Sequence, residues 1–131
     1  ANLEVANARA DGDALTSTDQ TFGVGKTAGN VNIGSYSLFV KTDSVKADNV
    51  TVDPFIRSGT SGAWTKSVNG SAQGQSLRDF TVATTGSVEP LAFQTATFPL
   101  VTSLAIDKTS TLAITDDTSL DCQITISLRY L

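Results

Sequence analysis

The fold of this 131-residue chain is decided by the C-terminal stretch CQITISLRYL, residues 122–131. Apolar side chains occupy every second position of this stretch, and mostly polar side chains occupy the positions between them. One face therefore carries Cys122, Ile124, Ile126, Leu128 and Tyr130. A period of two residues is the spacing of a β-strand with one buried and one solvated face. The stretch predicts a half-buried strand.

Similar alternation upstream predicts further strands, separated by Gly- and Ser-rich turns such as 58–62 and 69–75. Helical periodicity is poor, and the best helical candidate, Leu3–Ala10, is short. Pro54 interrupts one of the runs and indicates an edge, a bulge or a strand end. Seven or eight short strands predict an all-β fold, a two-sheet antiparallel sandwich of jelly-roll type, with a barrel as the alternative. The upstream runs are Ser35–Thr42, Asn49–Ile56, Leu77–Thr84, Leu91–Phe98, Leu100–Asp107 and Thr111–Thr115.

The first 30 residues differ from the rest of the chain. They are polar, Gly-rich and weakly patterned, with one short strand expected around Thr21–Val24. We therefore expect an extended, Gly-rich N-terminal arm over residues 1–30 and a β-sandwich domain over residues 31–131. A plain surface loop is the alternative to the arm.

The missing residue types argue against catalysis. The chain has no His and a single Cys, Cys122. A Ser-His-Asp or Cys-His nucleophile would lack its base, and a zinc site would have one thiolate and only carboxylates. We expect no enzyme, no catalytic residue, no cofactor and no metal centre. Calcium at the acidic loops stays open; these carry Asp11, Asp13, Asp116, Asp117 and Asp121.

Charge and hydropathy limit the classes of binding partner that we expect. The net charge is -4 and the basic residues are scattered singly, so we expect no nucleic-acid binding. No stretch approaches the roughly 20 consecutive apolar residues of a membrane span, so we expect no membrane association. The chain starts at Ala1 and contains no Met. Removal of an initiator Met and cleavage of a leader both fit that start.

Ser and Thr account for 33 residues, a composition typical of a wettable surface on strands that act by shape. Trp64 follows a Gly/Ser loop, where an aromatic ring can stack on a sugar, contact a partner or pack one end of the sandwich. The candidate interface or ligand contacts are Trp64, Tyr36, Phe22 and Arg57.

The order of these features resembles the small all-β structural proteins of tailed phages, the capsid decoration and tail-accessory sandwiches. The resemblance rests on the strand Ser35–Thr42, the run Asn49–Phe55, the turn closing on Trp64 and the terminal strand Cys122–Tyr130. It implies a virion protein, a capsid, decoration or accessory subunit that forms homo-oligomers and contacts other virion proteins. The alternative is a secreted or cell-surface carbohydrate-binding or adhesin module that uses exposed aromatic rings.

Overall fold

The computed structural model describes residues 2–7, 21–73, 76–108, 120 and 124–130. In these residues the regular structure is entirely β, which confirms the predicted all-β class. The strands are β1 (Asn2–Asn7), β2 (Phe22–Gly23), β3 (Gly34–Val40), β4 (Lys46–Ala47), β5 (Val50–Thr51), β6 (Asp53–Ser58), β7 (Thr65–Lys66), β8 (Arg78–Ala83), β9 (Ala96–Thr97), β10 (Leu100–Ile106) and β11 (Ile124–Arg129).

The largest sheet has five antiparallel strands in the order β11-β1-β8-β6-β7. Pro54 is the second residue of β6, at the beginning of the strand, where its missing N–H costs the sheet least. Side chains on both faces of β8 are buried, from Asp79 to Ala83. This strand therefore lies at the centre of the packed structure.

A second sheet has the order β10-β3-β2, again antiparallel. The short segment 70–72 lies along the opposite side of β3 from β10: Val40 donates to the Gly70 carbonyl over 2.7 Å, and Ala72 donates to the Leu38 carbonyl over 2.9 Å. β3 therefore has neighbours on both sides, while β10 forms the edge of its sheet.

The third sheet, in the order β5-β4-β9, is built on a tight hairpin. Ala47 pairs with Val50, so the loop contains only Asp48 and Asn49. Both loop residues have positive φ, 47° and 66°, the conformation of a type I′ turn. Asp and Asn tolerate this left-handed conformation better than other non-glycine residues.

The core joins strands of all three sheets. It contains Phe22, Val24, Ile33, Tyr36, Leu38, Val40, Val45, Ala47, Val52, Ala72, Phe80 and Val82. Burying a side chain of this size contributes roughly 1.5–3 kcal/mol of transfer free energy, so the cluster is the main source of stability.

Most predicted strands are present with shifted bounds. The run Asn49–Ile56 is divided at Val52 into β5 and β6, and Leu91–Phe98 yields only the two residues of β9. The helical candidate begins within β1. The predicted strand Thr111–Thr115 and residues 1 and 8–20 of the predicted arm lie outside the described residues, and the described part of the arm contains β1 and β2.

Candidate functional site

The candidate site is an open apolar groove between β10 and β11. These strands end two different sheets: β10 ends the three-stranded sheet with β3, and β11 ends the five-stranded sheet. The groove has a volume of about 320 Å³. Its lining is predominantly apolar and consists of Tyr36, Leu38, Thr102, Leu104 and Ile124.

The first wall is β10, which is exposed along its whole length. Residues at alternate positions share one face of a strand, so Leu100 and Ile106 lie on the same face as the groove residue Leu104. These three side chains are 42%, 51% and 50% exposed, respectively. Large aliphatic side chains on a strand normally face a partner layer, and here that layer is missing in the described part of the chain.

The second wall is β11, and it departs from its prediction. The alternation predicts one buried face, but among the described residues of that face only Ile124 packs against the core. Ile126 and Leu128 are 43% and 59% exposed, and Tyr130 beyond the strand is 82% exposed. The apolar face was predicted correctly; its burial was not, because alternation shows which side chains share a face and not whether another layer covers it.

The floor of the groove is rigid. Tyr36 and Leu38 are 7% and 3% exposed, and the Tyr36 ring stacks on Phe22 with 5.1 Å between ring centres. The register places Tyr36 opposite Leu104 and Leu38 opposite Thr102, so two pairs on the same face of β3 and β10 form this part of the site. Packed side chains of this kind hold their shape when a ligand binds.

Each of the two walls is also the end strand of its sheet in the described structure. Within the described residues, β10 pairs only with β3, and β11 pairs only with β1. The outer edge of each strand therefore presents N–H and C=O groups that no described strand takes up, in the arrangement that recruits another strand.

The other sheet edges are better protected. The remaining edge strands, β7, β2, β5 and β9, each have two residues, whereas β10 has seven and β11 has six. β7 also carries Lys66, whose ammonium binds the Asp53 carboxylate at 2.9 Å. Short length and a lysine are the usual protections of an edge strand. Both long edges in the described structure thus border the same groove.

A buried ion pair holds the predicted contact residue Trp64 on a different part of the five-stranded sheet. Arg57 on β6 lies opposite Asp79 on β8, and its Nε and Nη2 atoms are both 2.9 Å from Asp79 Oδ2. The Arg57 guanidinium carbon lies 4.3 Å from the centre of the Trp64 ring, a cation–π contact. Asp79 is fully buried and holds the Arg57 guanidinium that covers one face of the Trp64 ring.

The four predicted contact residues fall in two places. Tyr36 lines the groove and Phe22 lies beneath it in the core, whereas Trp64 and Arg57 form the ion-pair cluster. One face of Trp64 is covered by Arg57 and Tyr36 is buried against Phe22, so these rings form no shared exposed platform. Sequence reasoning missed Leu104 and Ile124, although the alternation of their strands was the available signal.

The acidic loops considered for calcium lie outside the described residues. Among the residues that are described, no three carboxylate or thiol groups come together as a metal site would require. In the same part of the chain, no helix has the length and apolar character needed to cross a membrane.

The chain is similar to a bacterial protein among the known proteins. The chain is 26% identical over 133 aligned positions to Protein GltF of Escherichia coli (strain K12), with 89% of the chain and 52% of the relative covered. The chain thus spans about half the length of this relative. No protein-family model matches the chain. No solved structure matches it either.

The match corrects the predicted identity. It is to a bacterial protein, whereas the resemblance to tailed-phage structural proteins predicted a virion subunit. That resemblance and the virion function are both wrong. Their basis was an order of strands and one aromatic turn, features that unrelated β proteins share because the same turn and strand chemistry recurs in them.

Proposed function

We propose that this chain is a protein-interaction domain that binds an extended segment of another polypeptide in the groove between β10 and β11. The observation that carries the proposal is the set of exposed aliphatic side chains on β10 and β11, the two strands that contribute Leu104 and Ile124 to one groove. A contiguous exposed apolar surface is typical of a binding site, because soluble proteins otherwise avoid it.

The proposal includes a finer description of the fold. The five-stranded sheet and the β10-β3-β2 sheet would form the two layers of a sandwich around the shared core. The sandwich would be open on the side where β10 and β11 end the layers. An added strand there would cover Leu104 and Ile126, as an inner face of a sandwich is normally covered.

The groove defines the chemistry of its occupant. β10 contains no charged residue, and its seven residues provide roughly 23 Å of edge at about 3.3 Å per residue. The best occupant is therefore an uncharged strand of about seven residues with aliphatic side chains at alternate positions. Main-chain hydrogen bonds would supply affinity, and the apolar lining would select the alternate side chains.

A lone segment fits the groove better than the edge of a second folded copy. The β10 strand of a second copy already pairs with its own β3, so it has one edge to offer. An unpaired segment has two edges and can hydrogen-bond to β10 and β11 on either side of it. Only such a segment would use the edges of both walls that no described strand takes up.

The proposed role is non-catalytic. It is supported by the absence of His from the chain, which removes the commonest general base. A secreted or cell-surface location and self-association remain predictions.

The test is a titration of the protein with a seven-residue peptide that alternates Leu or Val with Thr. A peptide of identical composition with its aliphatic residues grouped at one end is the matched ligand control. We expect saturable binding of the alternating peptide only, with chemical-shift changes at Leu104 and Ile124. Calorimetry measures the affinity and nuclear magnetic resonance locates the site.

Two variants sharpen the test. Leu104→Lys places a charge in the groove at a half-exposed position and should abolish binding without unfolding the protein. Val68→Lys places the same charge at a 92% exposed valine and should bind normally. Equal binding by the two variants, or association of the protein only with itself, would contradict the proposal.

A further inference from the structure

The two walls of the groove belong to different sheets, so contacts between the sheets must determine their separation. β11 is joined through β1 to β8, and β10 is joined through β3 to the segment 70–72. Whatever fixes that segment against β8 therefore also fixes one wall of the groove relative to the other.

Arg78 makes this connection. It is the first residue of β8, and its Nη1 atom donates to the Ser71 carbonyl over 2.7 Å and to Ser71 Oγ over 3.1 Å. Ser71 is 2% exposed and is bridged to Phe39 of β3. Hydrogen bonds from a guanidinium are stronger than those between neutral groups, so this contact resists separation of the sheets.

Paired strands link the contact between Arg78 and Ser71 to both walls of the groove. On one side, the segment's Ala72 donates to Leu38, and Leu38 lies opposite Thr102 of β10. On the other side, Arg78 lies opposite Val5 of β1, and Val5 lies opposite Ile126 of β11. Neighbouring strands are about 4.8 Å apart, so Arg78 and Ile126 are separated by roughly 10 Å across the sheet.

We propose that Arg78 is a positioning residue that sets the width of the groove. The contribution of Arg78 to binding rests on the strand-binding role proposed above. Its effect on the width of the groove is independent of that role. Loss of the two hydrogen bonds to Ser71 would let the two walls move relative to each other, and an incoming strand would then have to pay for restoring their spacing.

Double electron–electron resonance between spin labels on the two walls measures the width of the groove directly. Ser103→Cys and Thr125→Cys carry the labels on the outward positions of β10 and β11, in a Cys122→Ser background. Arg78→Met should broaden or shift the distance distribution and weaken binding of the alternating peptide roughly tenfold, within the range for residues that act through packed contacts.

Three further variants separate positioning from general destabilisation. Arg78→Lys keeps a donor and should restore much of the wild-type distance. Ser71→Ala removes the hydroxyl but keeps the backbone acceptor, so it should change the distance between the labels in the same direction by a smaller amount. This variant still tests the proposal if Arg78→Met fails to fold. Lys66→Met removes an exposed ion pair from the distant β7 edge and should leave the distance unchanged.

The outcomes distinguish the two proposals. A wild-type distance distribution in Arg78→Met and Ser71→Ala would overturn the role of Arg78, even if the wild-type protein binds the peptide. A changed distance in these variants would support that role, whether or not the peptide binds. If the wild-type protein does not bind the peptide, only the strand-binding function is overturned.

Discussion

Gly34 lies where the backbone of β10 leaves no room for a side chain. A Cβ atom at this position would collide with the carbonyl oxygen of Ala105 and come within 3.0 Å of the Ile106 Cα atom. The absence of a side chain thus lets β3 and β10 pair up to the end of the groove wall.

Gly34→Ala should therefore destabilise the protein by about 1–3 kcal/mol, the usual cost of forcing a methyl group into packed structure. Peptide affinity should fall with it, because β10 must shift. Gly29→Ala is the matched control: its added Cβ would meet only Thr27 Oγ1, at 3.7 Å. Urea unfolding compares the two variants, and equal stabilities would contradict the close approach at Gly34.

Asp48 connects the tight hairpin to the chain before β9. Its carboxylate accepts hydrogen bonds from the backbone N–H groups of Thr95 and Gln94, at 3.0 and 3.1 Å. The hydrogen bond from the Thr95 backbone is the largest cause that holds the pKa of Asp48 below its ordinary value, and partial desolvation opposes it.

A lowered pKa in the folded state means that the charged carboxylate stabilises the fold. This contribution is fully present above the pKa of the unfolded chain and is lost as the pH falls through the folded-state pKa. Asp48→Asn keeps an acceptor and tolerates the positive φ, but it cannot titrate. We therefore measure the urea midpoint of unfolding between about pH 2 and pH 7, and we expect it to fall less at acid pH in this variant than in the wild-type protein. An equal fall in both proteins would assign the loss of stability at acid pH to other carboxylates.

At the scale of the elements, β10 combines length, exposure and an absence of charge. Besides the groove-facing residues, Val101 on its other face is 50% exposed. A long, exposed and uncharged edge of this kind favours edge-to-edge association of copies when no occupant is present.

Val101→Lys should suppress such association because a lysine on an edge strand opposes pairing with another copy. It should affect peptide binding much less, because position 101 faces away from the groove and the uncharged peptide carries no second lysine to repel it. Sedimentation velocity over a range of concentrations measures the first effect and peptide titration the second. Concentration-independent behaviour of the wild-type protein would show that the edge does not self-associate.

Strands that are marked by a local sequence pattern could be predicted, whereas contacts between distant parts of the chain could not. β3, β8 and β10 have local alternation, and the sequence predicts them within a few residues. The pairing of Ser71 with Phe39 depends on residues 32 positions apart, and no local pattern encodes it. The exposure of Leu104 and Leu128 reflects the lack of a covering layer among the described residues, which no local pattern encodes, so the groove could not be predicted although its residues could.

At the scale of the whole molecule, strand binding should stabilise the fold. An occupant would bridge both sheets and cover apolar surface that is now exposed. A ligand that binds only the folded state at 100 times its Kd adds about 2.7 kcal/mol to the free energy of unfolding.

The alternating peptide should accordingly raise the Tm by several degrees, and Leu104→Lys should remove the increase. Thermal unfolding followed by circular dichroism gives the Tm, with Val68→Lys as the control that should respond like the wild-type protein. A Tm increase of the same size in Leu104→Lys would locate the peptide elsewhere on the molecule.

The proposed binding of a strand along β10 and β11 would have a mechanical consequence. A segment held in this way would lie along the strands, so tension applied to it would be directed across its hydrogen bonds to the walls. Such a load is shared by many bonds at once, in shear, rather than breaking them one after another from an end. A domain of this design can therefore serve as a joint that withstands pulling between two chains.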